Sequence, residues 1–284
     1  MNFILVLILL FVVLIVFVKP IQFYFKYKMQ ARPTVETCEP SSLPEIVREN
    51  FDVQFAEFSK LQFRHCGTFT IAQFTKNFKS VFATYEHQQH NVIAVTSAFF
   101  LKVNKQWRLR GQQAAIGTRL SDGVDIDTLN LNDLYVYPLP EGHIRTQHPE
   151  LQNISDLFAA HMSMVEHHRN GRQSVSELRT KYNGDILRFY SSTIFEMLSF
   201  AEASGYLKLK ESQIESTRAI EPSDANPFQT PPPELIDQGA VFVPTFVGAF
   251  KIVWQVVWPM RQSLLRIRNA RDRKMLAKTG YRWP

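Results

Sequence analysis

The chain has 284 residues, 45% hydrophobic and 13% aromatic with 23 Phe, which excludes a largely disordered polymer and suffices for one mid-sized core. Its two cysteines, Cys38 and Cys66, are fewer than a disulfide-stapled extracellular module normally carries, so two free thiols are expected, with a single Cys38–Cys66 bridge as the alternative. The net charge of +6 is uneven: residues 259–284 carry eight basic residues against Asp272 alone, leaving −1 for the rest and excluding a uniformly basic, nucleic-acid-binding body.

Phe3 to Val18 are apolar without a break, followed by Lys19, Pro20 and the aromatic group Phe23, Tyr24 and Phe25. No basic residue precedes this run, and no small-residue cleavage site follows it. The run predicts an uncleaved N-terminal transmembrane helix, with 1–28 as a single-pass signal-anchor. Lys19, Lys26, Lys28 and Arg32 all follow it, so the positive-inside rule places the N-terminus outside and the main domain in the cytoplasm.

A linker, 29–42, leads to a folded α+β domain over 43–215. Pro44, Ile46, Val47, Phe51, Phe55 and Phe58 recur at helical spacing. Alternation then predicts strands around Thr68–Ile71, Val81–Tyr85 and Val92–Val103, the last turning at Asn104-Lys105-Gln106 into Trp107 and Leu109. Asp122-Gly123 reads as a type I′ hairpin, after which Val124, Ile126 and Thr128 alternate with Asp125 and Asp127. Short turns between successive strands imply a mostly antiparallel sheet.

Two or three helices should follow and cover one face. Leu151, Ile154, Phe158, Met162 and Val165 make an apolar stripe that His167-His168-Arg169-Asn170-Gly171 ends. A short helix over Ser174–Lys181 comes next, and another between Gly184 and Gly205, with a return strand at Tyr206–Lys210.

A Pro-rich linker, 216–239, contains Pro231, Pro232 and Pro233. Residues 240–284 then join a hydrophobic segment to the basic tail. Lys251 interrupts the middle of the segment, which favours an amphipathic helix lying in the membrane interface over a second span. Trp254, Trp258, Arg261, Arg266 and Arg268 are the expected lipid contacts, with anionic lipid at the tail. The partners expected are a lipid bilayer or another membrane protein, and no nucleic acid.

Three polar groups could carry chemistry. His65, Cys66, Glu86, His87 and His90 offer metal-ligand types, but their spacing matches no zinc motif. His161 and His168 stand seven apart on one helix and would need a carboxylate to act as an acid–base pair. Asp122, Asp125 and Asp127 lack the spacing of a calcium loop, and on a strand Asp125 and Asp127 should point together into solvent. The chain has no Gly-rich phosphate loop, GxSxG elbow or dinucleotide fingerprint. The reading is a non-enzymatic binding or scaffold module at a membrane surface, without catalytic residues, metal or cofactor. A hydrolase acting on a lipid or amphipathic substrate is the alternative.

Overall fold

The computed structural model describes residues 3–13, 17–31, 33–75, 77–133, 136–211, 240–256 and 260–283. The helices among them are α1 (Phe3–Val13), α2 (Lys19–Lys26), α3 (Glu45–Lys60), α4 (Ile154–Arg169), α5 (Glu177–Thr180), α6 (Ile186–Ala203), α7 (Phe246–Val256) and α8 (Met260–Lys278). The strands are β1 (Met29–Gln30), β2 (Thr34–Thr37), β3 (Phe63–Thr75), β4 (Phe78–His87), β5 (Val92–Val103), β6 (Gln106–Leu120), β7 (Asp125–Leu129), β8 (His143–Gln147), β9 (Ser174–Val175), β10 (Leu207–Glu211) and β11 (Ala240–Pro244).

All of these strands join one sheet in the order β10-β11-β1-β3-β4-β5-β6-β7-β8, with β2 also on β3 and β9 also on β6. Every pairing is antiparallel except β7 with β8. The α+β class with an antiparallel-dominated sheet therefore holds. The stretches 29–42 and 240–284 contribute β1, β2 and β11 to this same sheet. The expected Pro-rich linker, 216–239, lies outside the described residues.

The two-residue period sorts the sheet into two faces. One face carries Val81, Ala83 and Tyr85 of β4, Val92, Ala94 and Ala98 of β5, and Ile116 of β6. These pack against Val47, Phe51 and Phe58 of α3 and Leu157, Ala160 and Met164 of α4. The opposite face carries Phe69 and Phe82, on which Tyr190 of α6 stacks with ring centroids 4.5 and 6.3 Å away. The covering helices thus divide between the faces. A second, smaller core joins Met29, Ala31, Leu207 and Phe242 to Leu198 and Ala201 of α6.

Local signals placed the elements. Asn153 caps α4, its side chain accepting from the Ser155 N–H at 2.7 Å, and Asn170 ends that helix in the left-handed region at φ 45°. Asn104 and Lys105 take φ of 51° and 65°, so the tight two-residue turn with both central φ positive joins β5 to β6. At Asp122-Gly123 only Gly123 has positive φ, 89°, and its N–H bonds to the Leu120 carbonyl. That connection is a three-residue loop with a glycine bulge rather than the expected type I′ turn.

The N-terminal expectation is corrected. Among the described residues no helix is long and apolar enough to cross a membrane. α1 has 11 residues, which at helical rise cover about 16 Å of a hydrocarbon core of about 30 Å. Apolar composition alone could not fix the helix length. The transmembrane anchor, the single-pass topology and the placement of N-terminus outside and domain in the cytoplasm, all derived from that span, are withdrawn with it.

Candidate functional site

The segment 240–256, expected to be one interfacial helix, divides. β11 inserts between β10 and β1, burying Phe242 completely. Thr245 then opens α7, its hydroxyl accepting from the Gly248 N–H at 2.8 Å. α7 buries Gly248, Ala249, Ile252 and Val253. Gly248 is required there, because a Cβ would overlap the Tyr206 carbonyl.

The other side of α7 meets α2 through a run of rings. Phe17 contacts Phe250 at 6.2 Å, Phe250 contacts Phe246 at 5.0 Å, Phe246 contacts Tyr24 at 6.0 Å, and Tyr24 contacts Phe25 at 5.0 Å. The outer edges of this run are uncovered: Phe25 is 72% exposed, Phe246 56%, Val247 57% and Trp254 48%. Phe3, Ile4, Leu5, Leu7, Leu10 and Phe11 of α1 are exposed as well. Lys19, Lys26, Lys28 and Lys251 are exposed on the same elements or beside them. A folded chain rarely leaves so many large apolar side chains in water without something to cover them.

The basic tail is docked, not free. α8 buries Leu276 in the main core, and its C-terminal end meets α4 through Ser163 and Thr279, whose hydroxyls are 2.6 Å apart. Arg261 pairs with Asp133 at 2.9 Å and Arg273 with Glu150 at 3.0 Å, while Arg268 reaches the Asp133 carbonyl at 3.4 Å. Of the five expected lipid contacts, Trp254 and Arg266 are exposed, Arg261 and Arg268 turn toward the domain, and Trp258 lies outside the described residues.

Asp272, the one acid in the basic run, is fully buried. One carboxylate oxygen accepts from Arg271 at 2.9 and 2.8 Å, and the other accepts the Gln147 backbone N–H at 3.0 Å. It ties α8 to the edge of β8. Behind this tie lies a cavity of about 370 Å³ lined by Val136, Leu139, Arg145, Gln147, Arg268 and Arg271, among others. Arg145 and Gln147 leave β8 on the same face. Arg145 is braced by Asp127, which accepts from its Nε at 3.0 Å and its Nη2 at 2.6 Å, and from His143 Nε2 at 2.7 Å. Burial pushes the Asp127 carboxyl up, but Arg145 and His143 reverse this and hold it well below the usual carboxylate range. Asp127 therefore does not point into solvent as expected. Gly117 makes room for it, since a Cβ there would come within 2.9 Å of Asp127 Oδ1.

The other polar candidates do not converge. Glu86 turns to the second face, where Ser176 and Arg179 each donate to it at 2.7 Å. His87 stays on the first face, its ring 4.5 Å from that of His90. No group of three or more metal-ligating side chains is assembled among the described residues, and both cysteines are free thiols. His161 sits at the centre of the core, with Nε2 2.8 Å from Thr118 Oγ1 and Nδ1 3.1 Å from Thr128 Oγ1. Burial lowers its pKa to about 4. His168 sits at the end of α4, beside His167 with ring centroids 4.9 Å apart.

Sequence reasoning missed the cavity because β8 and α8 are far apart in the chain. One signal was visible: a lone Asp among eight basic residues has a reason to be there. Comparison with protein-family models, with curated proteins and with solved structures returned no match.

Proposed function

We propose that the chain is a non-enzymatic binding module that rests on the surface of an anionic bilayer without crossing it. The observation that carries this reading is the uncovered aromatic run from Phe17 through Phe250, Phe246 and Tyr24 to Phe25. Aromatic and aliphatic side chains on helix edges, rimmed by Lys19, Lys26, Lys28 and Lys251, match the chemistry of a headgroup boundary. The lysines add attraction to anionic lipid, about 1 kcal/mol each near such a surface. The contact surface is thus α2 and α7, with Trp254 at its edge, rather than the arginines of α8. The hydrolase reading gains no support, because His161 has both ring nitrogens beside threonines.

The test is sedimentation of the full chain with vesicles. Binding should be stronger to vesicles containing phosphatidylserine than to phosphatidylcholine alone, and should weaken as salt rises. Replacing Phe25 and Phe246 together by Asp should reduce binding at least tenfold, since each ring contributes about 1.5–3 kcal/mol when buried. Unchanged binding by this double variant would remove the reading. So would concentration-dependent self-association that the variant abolishes while lipid has no effect, which would assign the face to a second copy of the chain.

A further inference from the structure

We propose that the cavity between residues 136–139, β8 and α8 is a binding site for a phosphate group, carried either by a soluble molecule or by a lipid headgroup. The inference stands apart from the bilayer reading, because it rests on a polar cavity and not on the apolar face.

Three guanidinium groups, those of Arg145, Arg268 and Arg271, line this cavity of about 370 Å³. They come from β8 and α8, and guanidinium forks suit the oxygens of a tetrahedral oxyanion. The single acid on the wall, Asp272, is already engaged with Arg271 and the Gln147 N–H. Asp127 similarly engages Arg145. Arg268 has a weaker tie, to a carbonyl oxygen. Burial pushes its pKa down; Asp272 and Asp133 oppose this, and the nearby charges of Arg271 and Arg145 add to it.

Gln147 supplies the second, independent observation. Its side chain is 2% exposed, and both its amide oxygen and its amide nitrogen are buried without a hydrogen-bond partner. Buried amides are almost always paired, so this one calls for a group that enters the cavity. The NH₂ can donate to a phosphate oxygen, and the carbonyl can accept from a P–OH or from a hydroxyl of the ligand. Val136, Pro138 and Leu139 form an apolar wall for the remainder of that molecule.

Calorimetric titration of the full chain with inorganic phosphate, against chloride at matched ionic strength, tests the site. One equivalent should bind saturably. Gln147→Leu removes the amide but preserves the volume, and Arg268→Gln removes the least engaged cation. Each should weaken binding at least tenfold. Gln147→Leu should melt at or above the temperature of the parent chain, because it removes an unpaired buried group, so loss of binding could not be blamed on unfolding. Titration with glycerol phosphate and with a short-chain phosphatidic acid below its micelle concentration separates the sources. Equal affinities identify a soluble phosphate ester, and a gain of tenfold or more with acyl chains identifies a headgroup. Absence of saturable phosphate binding, or identical affinity in both variants and the parent, would overturn the proposal.

Discussion

His161 is a polar ring that is fully buried in the core. The stripe of α4 that meets the sheet runs through Ile154, Leu157, His161, Met164 and Val165, so an imidazole occupies a place where an aliphatic residue would be ordinary. Two threonines from adjacent strands make it tolerable by bonding both nitrogens of the neutral ring. A proton there would have to be carried without water. With a folded pKa of about 4 against 6.5 when unfolded, the unfolded chain binds the proton first as pH falls. The stability conferred by the neutral ring is intact above pH 6.5 and is lost as pH falls toward 4, by about 3 kcal/mol in all. Urea unfolding at pH 7 and at pH 4.5 should show most of this loss, and His161→Gln should flatten the difference. An unchanged difference would assign the acid sensitivity to His65, His87, His148 or His168, whose pKa values burial also lowers. Asp127 does not confuse the measurement, because its depressed carboxyl loses its contribution only below the usual carboxylate range.

At the scale of elements, α7 and α8 depend on a few contacts with the main body. Gly248 lets α7 lie against the Tyr206 carbonyl at the start of β10. Gly248→Ala forces the helix away from the sheet and should cost at least about 2 kcal/mol in a denaturant titration, as overpacking against rigid backbone does. Leu276 anchors α8 from within the main core. Leu276→Ala should cost about 2–5 kcal/mol, whereas a helix lying loosely on lipid would make the change neutral in solution; the same titration decides. Most elements could be read in the chain because they announce their own period and ends. α3, β5, α4 and α6 each have regular apolar spacing and a cap, a turn or a glycine. β11 could not be read, because a five-residue apolar run has no period that separates strand from helix, and its neighbours in the sheet lie far away in sequence. The cavity was hidden for the same reason: Gln147 and Asp272 become neighbours only when α8 crosses β8.

At the scale of the whole molecule, two surfaces lie on either side of α7. Its outer edge joins the aromatic run with α2, while Gln255, near its end, lines the arginine-rich cavity. Apolar surface and cationic hollow are thus mounted on one helix, and substitutions on one side should leave the other intact. Phe25 and Phe246 can be changed without touching Gln147 or Arg268. The vesicle and phosphate measurements can therefore fail independently.

The insertion of β11 between β10 and β1 has a further consequence for how the chain is made. Met29 faces Phe242 across a single ladder, more than two hundred residues apart in sequence. During synthesis that edge of the first strand must stay open until residues 240–244 have left the ribosome. Until then the nascent molecule carries an unpaired ribbon next to α2. That state invites a chaperone or a wrong neighbour, and only the late arrival of one short strand brings it to an end.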